Sequence, residues 1–262
     1  MLLAEIHGKT LEEGRNGEDY LTSAVFGHLR YVPPGAFWAD ALGRARTAAD
    51  ATFATLVTRD GGPPITSYKR LVVHFWPRRP TYGEPDLILA FTGEGLPSLI
   101  VLVEVKLGAE KSGTGERDQL VRYLDLLDDA VVVAALGLPA TTRRFVVYLT
   151  PRDSSAELRE SARLAPRRED RLFRLQWQDV LVAARLAALV APEPARTVLM
   201  DVARFLAALG LEYFGGFKDV PALAAFEPQS ADFAVTSPAR FRGFADCAAL
   251  AAFEVQIGGW VP

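Results

Sequence analysis

Residues 83–106 read GEPDLILAFTGEGLPSLIVLVEVK, and this stretch constrains the fold more than any other. Two apolar, β-branched runs, PDLILAF and SLIVLVEVKL, are too short for helices and are separated by a glycine- and proline-rich break, so they predict a pair of strands. SLIVLVE is apolar at almost every position rather than at alternate ones, the pattern of a strand covered on both faces. A sheet buried on both sides needs helices above and below it, which places the chain in the α/β class.

The same stretch carries Asp86, Glu104 and Lys106. In an extended strand Leu102, Glu104 and Lys106 share one face, and Val101, Val103 and Val105 take the other. If TGEGLP closes an antiparallel hairpin centred near Gly95, Asp86 lies nine residues before the centre and Glu104 nine after it, which makes them cross-strand neighbours. Opposed residues have Cβ atoms about 5 Å apart, within reach of one shared divalent cation. Two apposed carboxylates without a cation repel, and one is forced to hold a proton. Mg²⁺ or Mn²⁺, with water and phosphate completing the shell, removes that conflict. Lys106 adds a point-charge donor for a water or a phosphate oxygen.

The flanking pattern supplies helices. Asn16 is placed to cap a helix from Gly17, with Asp19 in a partial capping box and Leu21, Val25 and Leu29 along one face. A second helix is expected from Ala36 to Leu56, before DGGPP. KRLVVHFW at 69–76 predicts a first strand, and ERDQLVRYLDLLDD at 116–129 an amphipathic helix. RRFVVYLT at 143–150 and RLFRLQW at 171–177 predict two more strands around a helical segment at 153–164, and the pattern from Gln178 to Gly210 is mostly helical.

The chain has 262 residues, half of them apolar, and a net charge of −3, so the total charge gives no sign of a nucleic-acid binder. A single cysteine, Cys247, rules out a multi-cysteine zinc site and fits a small core residue. His7, His28 and His74 have no mutual ligand spacing. The N-terminus has neither the cationic start nor the apolar run of a signal peptide, and no apolar stretch reaches bilayer length, so a cytoplasmic protein without a membrane partner is expected.

Pro85-Asp86 at the head of one strand and Glu104-Val105-Lys106 at the end of the next resemble the signature of the PD-(D/E)xK nuclease superfamily. Gly83-Glu84-Pro85-Asp86 and the downstream Gln119-Leu120-Val121-Arg122-Tyr123 are similar to its RecB-like branch in order and spacing, and the likeness covers about Glu18 to Trp177. The resemblance implies a restriction-endonuclease-like core, with a mixed sheet flanked by helices, over residues 1–192. A mainly helical, aromatic-rich extension packed on that core then follows over 193–262. It implies that Asp86, Glu104 and the Val105 carbonyl bind Mg²⁺ or Mn²⁺, that Lys106 orients the hydrolytic water, and that Gln119 and Tyr123 face the site. Glu18, three and seven residues before Leu21 and Val25, is a further metal candidate on the first helix.

The expected substrate is DNA, with repair or phage defence as compatible settings. Arg143 through Arg174 hold nine arginines against five acids and form a candidate phosphate-contacting face, with Lys111 in the GAEKSGTG loop a second candidate. The competing reading is a noncatalytic nuclease-fold subunit that binds DNA or assembles with a protein partner, or with its own copies, through the aromatic tail. A third is an α/β protein of other function whose three charges are structural.

Overall fold

A computed structural model describes residues 17–108, 111, 113, 115–139 and 142–213. Five strands form one mixed sheet in the order β1-β2-β3-β4-β5: Arg70–Phe75, Leu87–Thr92, Leu99–Val105, Arg143–Thr150 and Leu172–Gln176. The first three are antiparallel neighbours, and β3, β4 and β5 run parallel. Each parallel connection carries helices, as parallel strands require. The helices α4 (Gln119–Asp128) and α5 (Ala130–Ala135) join β3 to β4, and α6 (Ser155–Leu164) joins β4 to β5. Among the described residues, three α-helices precede the sheet: α1 (Glu18–Leu29), α2 (Pro34–Gly43) and α3 (Phe53–Thr58). Two more described helices follow it: α7 (Trp177–Val190) and α8 (Ala195–Ala208).

The alternation of side chains along each strand divides the interior in two. Leu89, Val101, Val103, Val105, Val147 and Phe173 pack with α1, α2, α3, α7 and α8 on one face. Ile88, Ile100, Leu102, Val146 and Tyr148 pack with α4, α5 and α6 on the other. Every residue of β3 is buried, including Glu104, as the unbroken apolar run predicts. The hairpin register also follows the prediction: Leu87 pairs with Val103 and Phe91 with Leu99, so the turn is centred on Gly95, whose φ of +67° only glycine adopts without strain.

Two helical expectations are corrected. The first helix starts at Glu18, one residue later than predicted, and Gly17 holds the cap position without any side-chain bond; Asn16 lies outside the described residues. Glu18 and Asp19 instead fill the first turn, where negative charge is stabilised by the positive end of the helix dipole.

The helix expected over 36–56 is two helices. Pro34 begins α2 at a position where its missing N–H costs nothing, and α2 ends at Gly43. Beyond it the backbone finds other partners: Thr47 Oγ1 accepts from the Ala51 amide, Asp50 turns left-handed at φ 61°, and Thr52 Oγ1 caps α3 through the Thr55 amide. Short polar side chains offer the chain these local bonds in place of a helical ladder. The detour lets Arg46 bridge Arg174 at the free edge of β5, which blunts that edge against other strands.

In the C-terminal part, α8 packs Leu199, Val202 and Leu206 into the same interior as α7 and α1. Cys247 and the partner surface expected on the aromatic tail fall on residues outside the described part. Among the described residues, no helix is long and apolar enough to cross a membrane.

Candidate metal and hydrolytic site

The site forms where the hairpin ladder runs out. One step beyond the Leu87–Val103 pair stand Asp86 and Glu104, both on the α4–α6 face of the sheet. The approach to Asp86 is tightly shaped. Arg79 and Gly83 exchange backbone hydrogen bonds across a short turn, and Gly83 sits at φ +99°, which explains a glycine three residues before Asp86. Trp76, left-handed at φ 43°, donates its amide to the Asp86 carbonyl. Strained backbone of this kind persists only where its surroundings hold it, and it concentrates at functional positions.

Glu104 is 2 % exposed. Its Oε1 accepts two bonds, from Lys106 Nζ at 2.7 Å and from Gln119 Nε2 at 2.7 Å. Its Oε2, equally buried, has no hydrogen-bond partner. Asp86 Oδ2 accepts from the Val105 amide at 2.8 Å, so the acid is tied to the strand that carries Glu104. Burial and the Glu104 charge push the Asp86 carboxyl well above its usual range, so without a cation this acid holds its proton more tightly than a free one. Burial works against the charge on Lys106. The Glu104 carboxylate, helped by Glu18 and Asp86, outweighs that effect and holds the ammonium above its usual range.

Glu18 reaches the same place from α1. Its Oε1 accepts from the Leu107 amide at 2.9 Å, and its Oε2 lies 3.5 Å from Lys106 Nζ. The Lys106 carbonyl accepts from Trp177 Nε1 at 3.0 Å, and the Lys106 amide continues the parallel ladder to Leu149. The motif lysine is therefore held from α1, β4 and α7 together. Gln119, in the first turn of α4, also donates to Tyr123 Oη at 3.0 Å, and Tyr123 reaches the Glu84 carbonyl at 3.4 Å. Burial, with the Glu104 charge, raises the Tyr123 hydroxyl pKa far above normal, so it stays protonated. All seven sequence-predicted positions, Glu18, Asp86, Glu104, Val105, Lys106, Gln119 and Tyr123, thus meet at one end of the sheet.

No comparison finds a match. Neither protein-family models nor curated proteins nor solved structures correspond to this chain, so its own geometry carries the functional argument. Among the described residues, no three His, Cys, Asp or Glu side chains form a metal cage. A Mg²⁺-type ion held by two carboxylates, a backbone carbonyl and water needs none. The residues fit such an ion: one Glu104 oxygen is clamped by two donors, the other is buried without any, and an opposed acid is strained towards neutrality by the same charge.

Two surface expectations are corrected, the second only in part. Lys111 does not stand in solvent for a nucleic acid: its side chain is 4 % exposed, ion-paired to Asp118, and donates to Ser161 Oγ at 2.9 Å. Part of the arginine run is also answered by partners within the fold, whereas Arg152, Arg159, Arg163 and Arg167 stay exposed. Arg143 donates to the carbonyls of Leu56, Val57 and Arg59. Arg144, Arg168 and Arg171 gather on Asp128, and Arg174 pairs with Asp50. A surplus of arginines counted along the sequence does not see acids brought in from α4 and from the α2–α3 connection.

Sequence reasoning also missed Tyr148 and Glu157. Tyr148 stands beside Glu104 on β4 and donates to Glu157 Oε2 at 2.8 Å. In sequence it reads as one more apolar position of a strand, and nothing there signals its hydroxyl.

Proposed function

We propose that this protein is a Mg²⁺- or Mn²⁺-dependent deoxyribonuclease with a restriction-endonuclease-like core of the PD-(D/E)xK type. The observation that carries this reading is the asymmetry of Glu104, with Oε1 bound by Lys106 and Gln119 and Oε2 buried without a hydrogen-bond partner, on a residue that the strand register sets across from Asp86. A purely structural carboxylate is normally satisfied on both oxygens, because an unmet buried acceptor costs about 1–3 kcal/mol.

In this reading Asp86, Glu104 and the Val105 carbonyl hold the cation, which when bound acts as a Lewis acid and lowers the pKa of a water. The side chains do the rest. Lys106 donates to the attacking water or to a phosphate oxygen, and it stabilises negative charge as that charge develops. Glu18 holds the ammonium in line and fixes the Leu107 amide. Gln119 sets the Glu104 carboxylate, and Tyr123 buttresses Gln119. The ordered meeting of Gly-x-x-Asp, Glu-x-Lys and Gln-x-x-x-Tyr at one site also favours this reading over charges that are only structural.

The test is incubation of the purified protein with linear, circular and single-stranded DNA plus Mn²⁺. Cleavage that stops on chelation, and in Glu104→Ala and Lys106→Ala proteins that still fold, is expected. Variants that cut as fast as the parent would overturn the assignment.

A further inference from the structure

Beside the hydrolytic centre, past Lys106, lies a cleft of about 260 Å³ whose lining includes Lys106, Gly108, Tyr148, Arg152 and Glu157. It begins at Lys106, the proposed donor to the attacking water, and runs between β4 and the start of α6. Its charges nearly cancel: Lys106 and Arg152 are positive, and Asp153 and Glu157 are negative. That balance does not suit a bare phosphate, which calls for a surplus of cations. It suits a neutral nucleoside, whose base offers N–H groups to a carboxylate and whose flanking phosphate meets a single guanidinium.

The groups are placed for that division. The Tyr148 hydroxyl and the Lys111 amide both go to Glu157 Oε2, which fixes the carboxylate and leaves its second oxygen to accept from a base. Arg152 is exposed at the cleft, where it can meet a phosphate.

We propose that this cleft seats the single unpaired nucleotide adjoining the scissile phosphate, which makes the protein selective for single-stranded DNA. The proposal rests on the nuclease reading above and deepens it. A paired base is engaged by its complement and stacked on its neighbours, and it must leave both to enter a cavity of this size. A single strand gives up little to do so.

Gly108 offers a direct probe. A Cβ built there meets nothing within 4 Å and the backbone is not left-handed, so Gly108→Trp narrows the cleft without a backbone clash. Arg152→Ala removes an exposed group and supplies a variant that leaves the interior untouched.

Binding of a short fluorescent oligothymidylate and of a blunt duplex is measured by anisotropy in Ca²⁺, with Mn²⁺-dependent cleavage of both measured separately. The single strand should bind the wild type more tightly than the duplex. Gly108→Trp should weaken its binding about tenfold or more and Arg152→Ala about threefold, while the duplex is unaffected. Equal binding of the single strand by Gly108→Trp and wild type overturns the proposal, as does equal binding of single strand and duplex by the wild type. Weakened binding by Gly108→Trp with no cleavage by the wild type keeps the cleft and rejects the nuclease.

Discussion

Two ionic clusters flank the start of α4, and they are built on opposite principles. At Lys111 and Asp118 every charge is answered. Asp118, fully buried, accepts from the Leu120 and Val121 amides on one oxygen, and from Lys111 and Ser161 on the other. At Asp86 and Glu104 two acids oppose each other, one oxygen is buried without a partner, and one carboxyl is pushed towards its neutral form. The first cluster clamps the start of α4 to α6. The second is what that clamp supports, because Gln119 follows Asp118 directly and sets Glu104. A satisfied cluster contributes to holding the fold together, whereas an unsatisfied one held in place by its surroundings is poised for something the chain does not itself supply.

Substitutions separate the two. The largest effect is expected on chemistry: Glu104→Ala should lower Mn²⁺-dependent DNA cleavage by about a thousandfold, about 4 kcal/mol of barrier, without unfolding the protein. Single-turnover cleavage with parallel circular dichroism checks both halves. The satisfied cluster should respond in stability instead. Asp118→Ala removes a helix cap and leaves the Lys111 ammonium with only the longer ion pair to Glu160, at a cost of about 3 kcal/mol by urea denaturation.

Gln119→Ala stands between the two clusters. It should cost about 1 kcal/mol of stability and about tenfold in cleavage, because Glu104 Oε1 loses one of its two donors. An effect on stability alone would make Gln119 part of the clamp rather than of the site.

Asp86 gives the comparison a pH signature. Its folded-state pKa lies above its unfolded value, so metal-free protein is favoured while Asp86 is protonated and loses stability as the pH rises through the raised value. In chelator, Asp86→Asn should abolish that decline and raise the melting temperature at neutral pH. An unchanged pH profile would show that the two acids do not oppose each other. The smallest effect belongs to the exposed ion pairs: Arg168→Ala, which loses Asp125 and Asp128, should cost less than about 1 kcal/mol.

Much of the site was legible in the sequence because hairpin symmetry is simple arithmetic. Residues equidistant from Gly95 must face each other once the turn is placed, and the apolar run through β3 marks Glu104 as buried. Glu18 was legible through helical periodicity, since its spacing from Leu21 and Val25 turns it inward. The satisfied cluster was not legible. Lys111 sits in a polar, glycine-rich stretch that reads as solvated, and only the packing of α4 against α6 brings Asp118 and Ser161 to it. The broken helix between Gly43 and Phe53 was obscured for a related reason: its apolar periodicity continues, while the competing bonds of Thr47 and Thr52 depend on where the chain turns next. Arg143–Arg174 shows the limit of counting charge along a chain, because Asp128 and Asp50, which pair with Arg144, Arg168, Arg171 and Arg174, come from other elements.

Isothermal titration of metal-free protein with Mn²⁺ tests the central claim most directly, with wild type and Glu104→Gln compared at one pH. The account predicts saturable binding by the wild type that is lost in the variant. Binding of equal strength in both, or none in the wild type, would contradict it.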